Sequence, residues 1–204
     1  MLEVINLTCV RGTRRLFKDL TFSAESGELV EVRGPNGSGK TSLLRILCGL
    51  AMPAAGEVRW NGTSIRSLGE EYSGSVAYLA HQNAVKDELT AIENLRISSA
   101  VCGNALNKKE AQETLKRVGL REQQNLPARV LSAGQRRRLA MTRLLTSAAR
   151  LWILDEVLTS LDDTAMNLSR EFISDHLRKD GIAIVATHQD LNLTAPRSKR
   201  LQLS

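Results

Sequence analysis

Short apolar runs separated by turn residues make up much of this chain, and they predict its strands. We expect strands at residues 2–7, 20–23, 29–33, 58–60, 76–79, 151–154 and 182–186. Several of these runs are continuously apolar, which is typical of strands covered on both faces of a sheet. Helical periodicity predicts helices at residues 41–48, 108–118, 132–147 and 164–179.

The order of these elements predicts the fold class. Strands that alternate with helices favour an α/β fold with a mainly parallel sheet and right-handed crossovers. The first part of the chain has strands and few helices, so we expect an antiparallel β layer beside the parallel core. Residues 89–129 are polar and mostly helical, and with the next helix they predict a helical insertion at about 89–147 in a single domain, 1–204. The basic tail is expected to add a short strand at residues 200–203.

A glycine-rich stretch carries the clearest chemistry. Residues 34–41 fit the phosphate-binding P-loop pattern G-x-x-x-x-G-K-[ST], with a strand before them and a helix after them. Glycines let the backbone turn its N–H groups toward an anion, and the helix N-terminus adds positive charge. Lys40 can reach the β- and γ-phosphates, and the Thr41 hydroxyl can ligate Mg²⁺. The predicted ATP-binding residues are Gly34, Pro35, Asn36, Gly37, Ser38, Gly39, Lys40 and Thr41.

The apolar strand at 151–154 runs directly into two acids, Asp155 and Glu156. A buried strand brings Asp155 to its carboxyl end, where α/β sheets bind ligands. We expect Asp155 to hold Mg²⁺ and Glu156 to polarise the water that attacks the γ-phosphate. The alternative is an ordinary acidic strand end at the surface, and the P-loop upstream argues against it.

Residues 131–135 read L-S-A-G-Q and resemble the L-S-G-G-Q signature of ABC ATPases. Ser132 is expected to cap the helix that follows. The resemblance implies a P-loop NTPase of the ABC ATPase type with a helical subdomain. It also implies a head-to-tail dimer with two ATP sites. There the signature of one chain covers the nucleotide of the other, through Leu131, Ser132, Ala133, Gly134 and Gln135.

Three further residues match ABC ATPase elements in the expected order. The resemblance implies that Gln82 is the Q-loop glutamine, which senses Mg²⁺ and faces a membrane partner. It implies that Asp162 belongs to the D-loop and lies at the dimer interface. It also implies that His188 is the switch histidine, which contacts the γ-phosphate and assists Glu156 in catalysis.

A narrower resemblance is to the ATP-binding subunits of cytochrome c maturation, the haem exporter family. Residues 11–12, 16–17, 34–44, 56–60, 81–82, 86–95, 131–138, 151–156 and 187–189 carry it. It implies an ATPase that uses Mg²⁺ and works as a homodimer on the cytoplasmic side of the inner membrane. The implied partners are an integral membrane subunit and haem-handling proteins, with ATP turnover tied to release of a haem-loaded chaperone. The chain has no C-x-x-C-H motif, so no direct haem site is expected.

Some positions depart from the ABC pattern, and Arg11 and Val157 are two of them. Arg11 stands where many ABC ATPases carry an aromatic residue under adenine. A guanidinium plane can also stack on a base, so Arg11 is a candidate adenine contact with weaker base selectivity. Val157 stands where most carry proline after the catalytic glutamate, and it leaves the backbone freer there.

Composition and charge bear on the rival functions. The 204 residues carry a net charge of +6 and three widely spaced cysteines, which favour free thiols in a reducing cytoplasm. No apolar run approaches the roughly 20 residues that span a bilayer, and the N-terminus does not resemble a secretory signal. The motifs leave open the ATPase of a different small ABC transporter. The positive charge leaves open a soluble ABC ATPase acting on nucleic acid. Such proteins usually carry two ATPase domains, so we expect no nucleic-acid partner.

Overall fold

The computed structural model describes residues 1–80, 83–156, 163–188, 191, 193, 195 and 197–204, and it contains two β-sheets. The strands are β1 (Leu2–Arg11), β2 (Arg14–Ala24), β3 (Glu28–Arg33), β4 (Ala55–Trp60), β5 (Thr63–Ser64), β6 (Val76–Leu79), β7 (Leu151–Asp155), β8 (Ile182–Ala186) and β9 (Arg197–Gln202). The helices are α1 (Lys40–Leu47), α2 (Ile65–Leu68), α3 (Glu70–Gly74), α4 (Ala91–Val101), α5 (Lys108–Arg117), α6 (Ala133–Leu145) and α7 (Asp163–Arg178), with a 3-10 helix at Ala128–Val130.

The larger sheet confirms the predicted parallel core. Its strand order is β6-β7-β8-β3-β9, and every neighbouring pair is parallel. Each residue of β7 and β8 is buried, which explains why residues 151–154 and 182–186 are continuous apolar runs. Since β3, β7 and β8 are neighbours, their carboxyl ends meet at one edge of the sheet. The P-loop, Glu156 and His188 all follow these three ends.

The smaller sheet confirms the predicted antiparallel layer. Its order is β2-β1-β4-β5, and its pairs are antiparallel. One buried apolar cluster joins this sheet to the parallel sheet through α1. It includes Leu2 of β1, Leu43 of α1, Ile153 of β7 and Ile184 of β8. This packing holds the β1–β2 hairpin close to the loop that precedes α1.

Between β6 and β7 the chain forms α4, α5, the 3-10 helix and α6, in the region where the sequence predicts a helical insertion. A second apolar cluster joins these helices to the other face of the parallel sheet through Leu95, Leu115, Leu139, Leu154 and Val185. The helices α4, α5 and α6 each begin at a reciprocal capping box, which satisfies the first backbone donors. None of the helices in the described ranges is both long and apolar enough to cross a bilayer.

The last strand begins earlier than the sequence predicts, at Arg197 instead of residue 200. Its basic side chains pair with acids near β3: Lys199 Nζ lies 2.9 Å from Glu28 Oε1, and Arg197 Nη1 lies 2.7 Å from Glu25 Oε2. These ion pairs stabilise the first residues of β9 beside β3. A prediction based on apolar positions could not find them, because these side chains are charged.

A stacked pair of rings closes the end of the parallel sheet away from the P-loop. The rings of Trp152 and His176 lie 3.9 Å apart at an interplanar angle of 7°, and His176 Nε2 lies 3.2 Å from the Ile182 carbonyl oxygen. The His176 ring fits only because residue 181 is glycine: a Cβ on Gly181 would lie 2.3 Å from His176 Nε2. Burial, with a smaller contribution from the charge of Lys179, lowers the pKa of His176.

This arrangement predicts a stability that falls in mild acid. The unfolded chain takes up a proton at His176 near its ordinary pKa of about 6.5, while the folded chain resists it. The free energy of unfolding should therefore be highest above that pH and decrease as the pH falls through it. Urea unfolding at pH 7.5 and at pH 5.5 measures the difference in the free energy of unfolding between the two pH values. This difference should be smaller in His176→Gln and unchanged in His188→Ala. An equal difference in His176→Gln and the unmodified chain would contradict the prediction.

Candidate nucleotide-binding site

The P-loop connects β3 to α1 in a conformation that requires glycine. Gly39, the N-cap of α1, has φ +101°, and a Cβ there would lie 3.0 Å from Leu16 Cβ. A Cβ on Gly34 would lie 2.5 Å from the Leu203 carbonyl oxygen, which real Cβ atoms do not approach. The loop is therefore a tight backbone turn at a helix N-terminus, a favourable place for an anion.

Two polar side chains of the loop are buried. Lys40 is 5% exposed, and its ammonium donates to the Gly34 carbonyl at 2.8 Å and the Pro35 carbonyl at 3.1 Å. Ser38 is also buried, and its Oγ makes no hydrogen bond with any residue in the described part of the chain. A buried hydroxyl without a partner is rare in folded proteins and marks a place where a ligand oxygen could bind.

The acids at the end of β7 lie beside this loop. Asp155 is 2% exposed, and the Tyr78 hydroxyl lies 3.5 Å from its Oδ2. Burial and the charge of Asp155 raise the pKa of Tyr78 to about 12, so the tyrosine is neutral at physiological pH. The Glu156 backbone N–H donates to the Ala186 carbonyl at 3.0 Å, and its φ is +52°. This hydrogen bond to the end of β8 fixes where Glu156 leaves the sheet.

The Glu156 carboxylate lies between two groups that the sequence also predicts. Its Oε1 is 3.0 Å from His188 Nε2 and 3.9 Å from Lys40 Nζ. The side chains of Glu156 and His188 are 27% and 40% exposed, so water can reach both. A carboxylate beside a histidine and a loop lysine can accept a proton from water next to a bound phosphate.

These groups open onto a cleft of about 510 Å³. The residues that line it are Arg11, Arg14, Leu16, Asn36, Gly37, Gly39, Lys40, Thr41, Ser42 and Glu156. Arg11 and Thr41, two of the candidate residues named from the sequence, line this cleft. Arg14 also lines it and is not among those candidates. Its alternation with Leu16 along β2 was the signal that could have found it.

The predicted Mg²⁺ residues offer suitable donors. The hydroxyl of Thr41 lines the cleft, and the carboxylate of Asp155 lies at the end of the neighbouring strand. Mg²⁺ prefers oxygen ligands and commonly takes only one or two from protein beside substrate phosphates. The described residues include no cluster of three or more His, Cys, Asp or Glu that would form a separate metal site. These residues therefore fit a metal that arrives with the nucleotide.

The signature residues lie at the start of α6. Ser132 caps this helix: the Gln135 N–H donates to its Oγ at 3.2 Å, and the Ser132 N–H donates to Gln135 Oε1 at 2.9 Å. This confirms the predicted cap. Ser132 and Ala133 are exposed, and residues 131–135 are absent from the described lining of this chain's own cleft.

Two arginines tie α6 to Ala80, Asn83 and Asp87, which follow β6. Arg137 is buried and donates to the Ala80 carbonyl at 3.1 Å and to Asn83 Oδ1 at 2.7 Å. Burial lowers the pKa of Arg137. Arg136 Nη1 lies 2.7 Å from Asp87 Oδ1. The sequence interpretation missed both contacts, because a run of arginines is typical of a solvated face. Gln82 and Asp162, as well as Val157, lie outside the described residues.

Comparison with known proteins agrees with this geometry. The family model described as ABC transporter matches residues 17–159. A cytochrome c biogenesis ATP-binding export protein, CcmA, of Nitrosospira multiformis is 54% identical over 203 residues, covering 100% of this chain and 98% of that protein. An ABC transporter ATP-binding protein of Pyrococcus furiosus has a TM-score of 0.84 at 25% identity, covering 98% of this chain and 96% of that one.

A second solved structure adds a bound state. An ATP-binding cassette solved as a dimer in a post-hydrolysis state, bound to ADP and Pi, has a TM-score of 0.81 at 25% identity, covering 100% of this chain and 97% of that one. The family match, the high identity over the whole chain and the shared fold lead to one conclusion. The chain belongs to the CcmA family of cytochrome c biogenesis ATP-binding export proteins, within the ABC transporter ATPases, and has their P-loop NTPase fold.

Proposed function

We propose that this chain is the ATP-hydrolysing subunit of an ABC-type inner-membrane complex for cytochrome c biogenesis. One observation carries the ATPase assignment: Glu156 lies within 3.0 Å of His188 and 3.9 Å of Lys40 at the mouth of the P-loop cleft. The role in cytochrome c biogenesis is supported by the names of relatives that match the whole chain. The work of the complex is haem export or release of a haem-loaded chaperone.

Each residue of the cleft has a separate role in ATP binding or hydrolysis. The P-loop, residues 34–41, binds the phosphates, and Lys40 exchanges its two carbonyl partners for phosphate oxygens. Glu156 accepts a proton from the attacking water, and His188 holds the carboxylate and reaches the γ-phosphate. Thr41, Asp155 and Gln82 would hold Mg²⁺, which would supply positive charge beside the phosphates. Arg11 contacts the adenine.

A second copy of the chain completes each site. We assign residues 131–135 to cover the nucleotide of the partner protomer and Asp162 to lie at the dimer interface. Two observations support this: the signature lies outside its own cleft, and a similar cassette was solved as a dimer with ADP and Pi. A triphosphate carries several negative charges, so donors from both protomers would stabilise it better than one.

The membrane partner contacts the surface from Gln82 to Leu95, at the edge of the helical insertion (89–147) of the single domain, 1–204. Within this segment Asn94 donates to the Lys86 and Leu89 carbonyls at 2.9 and 3.1 Å, so the turn before α4 is well defined. The Asp87–Arg136 ion pair joins it to the signature helix, α6. The protein is peripheral on the cytoplasmic side of the membrane, and haem-handling partners bind the complex without a haem site or nucleic-acid site on this chain.

Charge reversal at this surface tests the proposed function. Lys86 and Glu88 are exposed and flank the Asp87–Arg136 pair without forming it. We expect Lys86→Glu and Glu88→Lys to reduce co-purification with the membrane subunit several-fold and to reduce cytochrome c maturation, while ATP affinity is unchanged. Lys18→Glu, a charge reversal on β2, is the matched control.

The measurements are the subunit composition of the purified membrane complex and the c-type cytochrome content of cells. Full co-purification of both variants with normal cytochrome content would contradict the docking surface. Normal cytochromes in cells that lack the chain would contradict the cytochrome role and favour another small ABC transporter. Strong, salt-dependent binding to RNA or DNA would favour a soluble ABC ATPase.

A further inference from the structure

Two arginines of the β1–β2 hairpin share the cleft with the P-loop. Arg11 and Arg14 are direct cross-strand partners, so their side chains project from the same face of the sheet. Both line the 510 Å³ cleft. The next residue, Arg15, pairs with Val10 and is not among the lining residues, as the alternation of a strand requires.

Arg14 lies against the tip of the P-loop. Its Nη1 would be 3.8 Å from a Cβ placed on Gly37, which is ordinary van der Waals contact. Gly37 is exposed and has φ +80°, so the loop is open at this point. The Arg14 guanidinium is therefore beside the backbone turn that surrounds Ser38 and Lys40.

The charges of this pair are not balanced in the described part of the chain. Neither the Arg11 nor the Arg14 side chain has a hydrogen bond or ion pair there, and like charges directly opposite each other destabilise an antiparallel sheet. Among the described residues that line the cleft, Glu156 is the one acid, and it lies 3.9 Å from Lys40. The described lining thus holds three cations and one carboxylate, and an anionic ligand would offset the repulsion.

We propose that Arg14 is a second phosphate-binding cation, which together with Lys40 clamps the polyphosphate chain of a nucleoside triphosphate between the hairpin and the P-loop. This inference rests on the nucleotide site proposed above. The planar guanidinium holds two parallel N–H donors in the geometry of two phosphate oxygens, whereas the donors of the Lys40 ammonium rotate and have no fixed fork. Arg14 contacts the phosphates and not the base, so its contribution to the binding free energy is the same for ATP and GTP.

The test compares four variants of the full chain in Mg²⁺ buffer. The affinities of ATP, GTP and inorganic tripolyphosphate are measured by displacement of a fluorescent ATP analogue. Arg14→Ala should weaken all three by about 10- to 100-fold, the range for a lost charge-assisted hydrogen bond. Arg14→Lys should restore part of the affinity. Arg15→Ala, the adjacent arginine outside the cleft, should not change it, and Lys40→Ala should weaken all three ligands.

Thermal melting separates a binding role from a structural one. Removal of one of two opposed like charges should leave the melting temperature of ligand-free Arg14→Ala unchanged or about 1 °C higher. Normal affinities in Arg14→Ala, with a loss in Lys40→Ala, would overturn the clamp and leave the proposed function intact. A loss for ATP but not for tripolyphosphate would overturn the phosphate assignment. Unchanged affinities in both variants would overturn the nucleotide site itself.

Discussion

Replacement of Glu156 with glutamine is expected to lower steady-state ATP hydrolysis by at least about 100-fold while ATP still binds, because a general base contributes a factor of that order. The amide keeps the shape of the side chain, so His188 can still contact position 156. The amide cannot accept a proton from water. The change also removes a negative charge that lies 3.9 Å from the Lys40 ammonium in the free protein. This charge would repel the phosphates of an incoming nucleotide. ATP affinity should therefore be equal or higher in the variant.

Two measurements on the variant check this expectation. Phosphate release under saturating ATP gives the turnover rate, and size-exclusion chromatography with ATP shows whether a nucleotide-bound dimer accumulates. Glu113→Gln is the matched control, because Glu113 is exposed on α5 and outside the cleft. Turnover near the normal rate would remove Glu156 from the catalytic role. Loss of ATP binding would mean that the carboxylate supports the cleft instead of the reaction.

Much of the fold could be predicted because each signal is local. The strands β6, β7 and β8 are short apolar runs, and the structure places them within one residue of the predicted bounds. The P-loop is equally local, because a tight turn, a lysine and a helix start must be contiguous in sequence to bind phosphates. Glu156 is next to Asp155, so the strand that positions one positions the other.

The missed residues depend on information that a local pattern lacks. Arg14 reaches the cleft only because of the strand register: β1 and β2 pair with an irregularity between Cys9 and Val10, and this sets which side chains share a face. In sequence, Arg14 is one of several arginines in a polar hairpin. Arg137 belongs to a run of three arginines that is typical of a solvated surface. Its burial follows from the packing of α6 against Ala80 and Asn83, which are distant in sequence.

The same limit applies to charge as a guide to partners. The net charge of +6 was compatible with nucleic acid, lipid headgroups or an acidic protein. In the structure, several basic residues form ion pairs within the chain: Lys199 pairs with Glu28, Arg136 with Asp87, and Arg197 with Glu25. The unbalanced cations that matter lie at the cleft, Arg11 and Arg14. The position of a charge therefore says more about its ligand than the total does.

Replacement of Lys40 with alanine is expected to weaken ATP binding by at least about 100-fold, because the phosphates lose two charge-assisted hydrogen bonds. In the free protein the Lys40 ammonium donates to the Gly34 and Pro35 carbonyls. The Lys40→Ala variant therefore also leaves these two carbonyls without the ammonium donor. Part of the loss could then come from a changed loop, and a second variant is needed to separate the two causes.

Lys40→Arg keeps the charge and can still donate to the loop carbonyls, but its planar head is too large for a site that is 5% exposed. We expect it to bind ATP more weakly than the unmodified chain and more tightly than Lys40→Ala. Titration with a fluorescent ATP analogue gives the affinities, thermal melting checks the fold, and Lys18→Ala on β2 is the control. If both Lys40 variants bind ATP with normal affinity, then the buried ammonium is only a loop support, and the phosphates bind elsewhere.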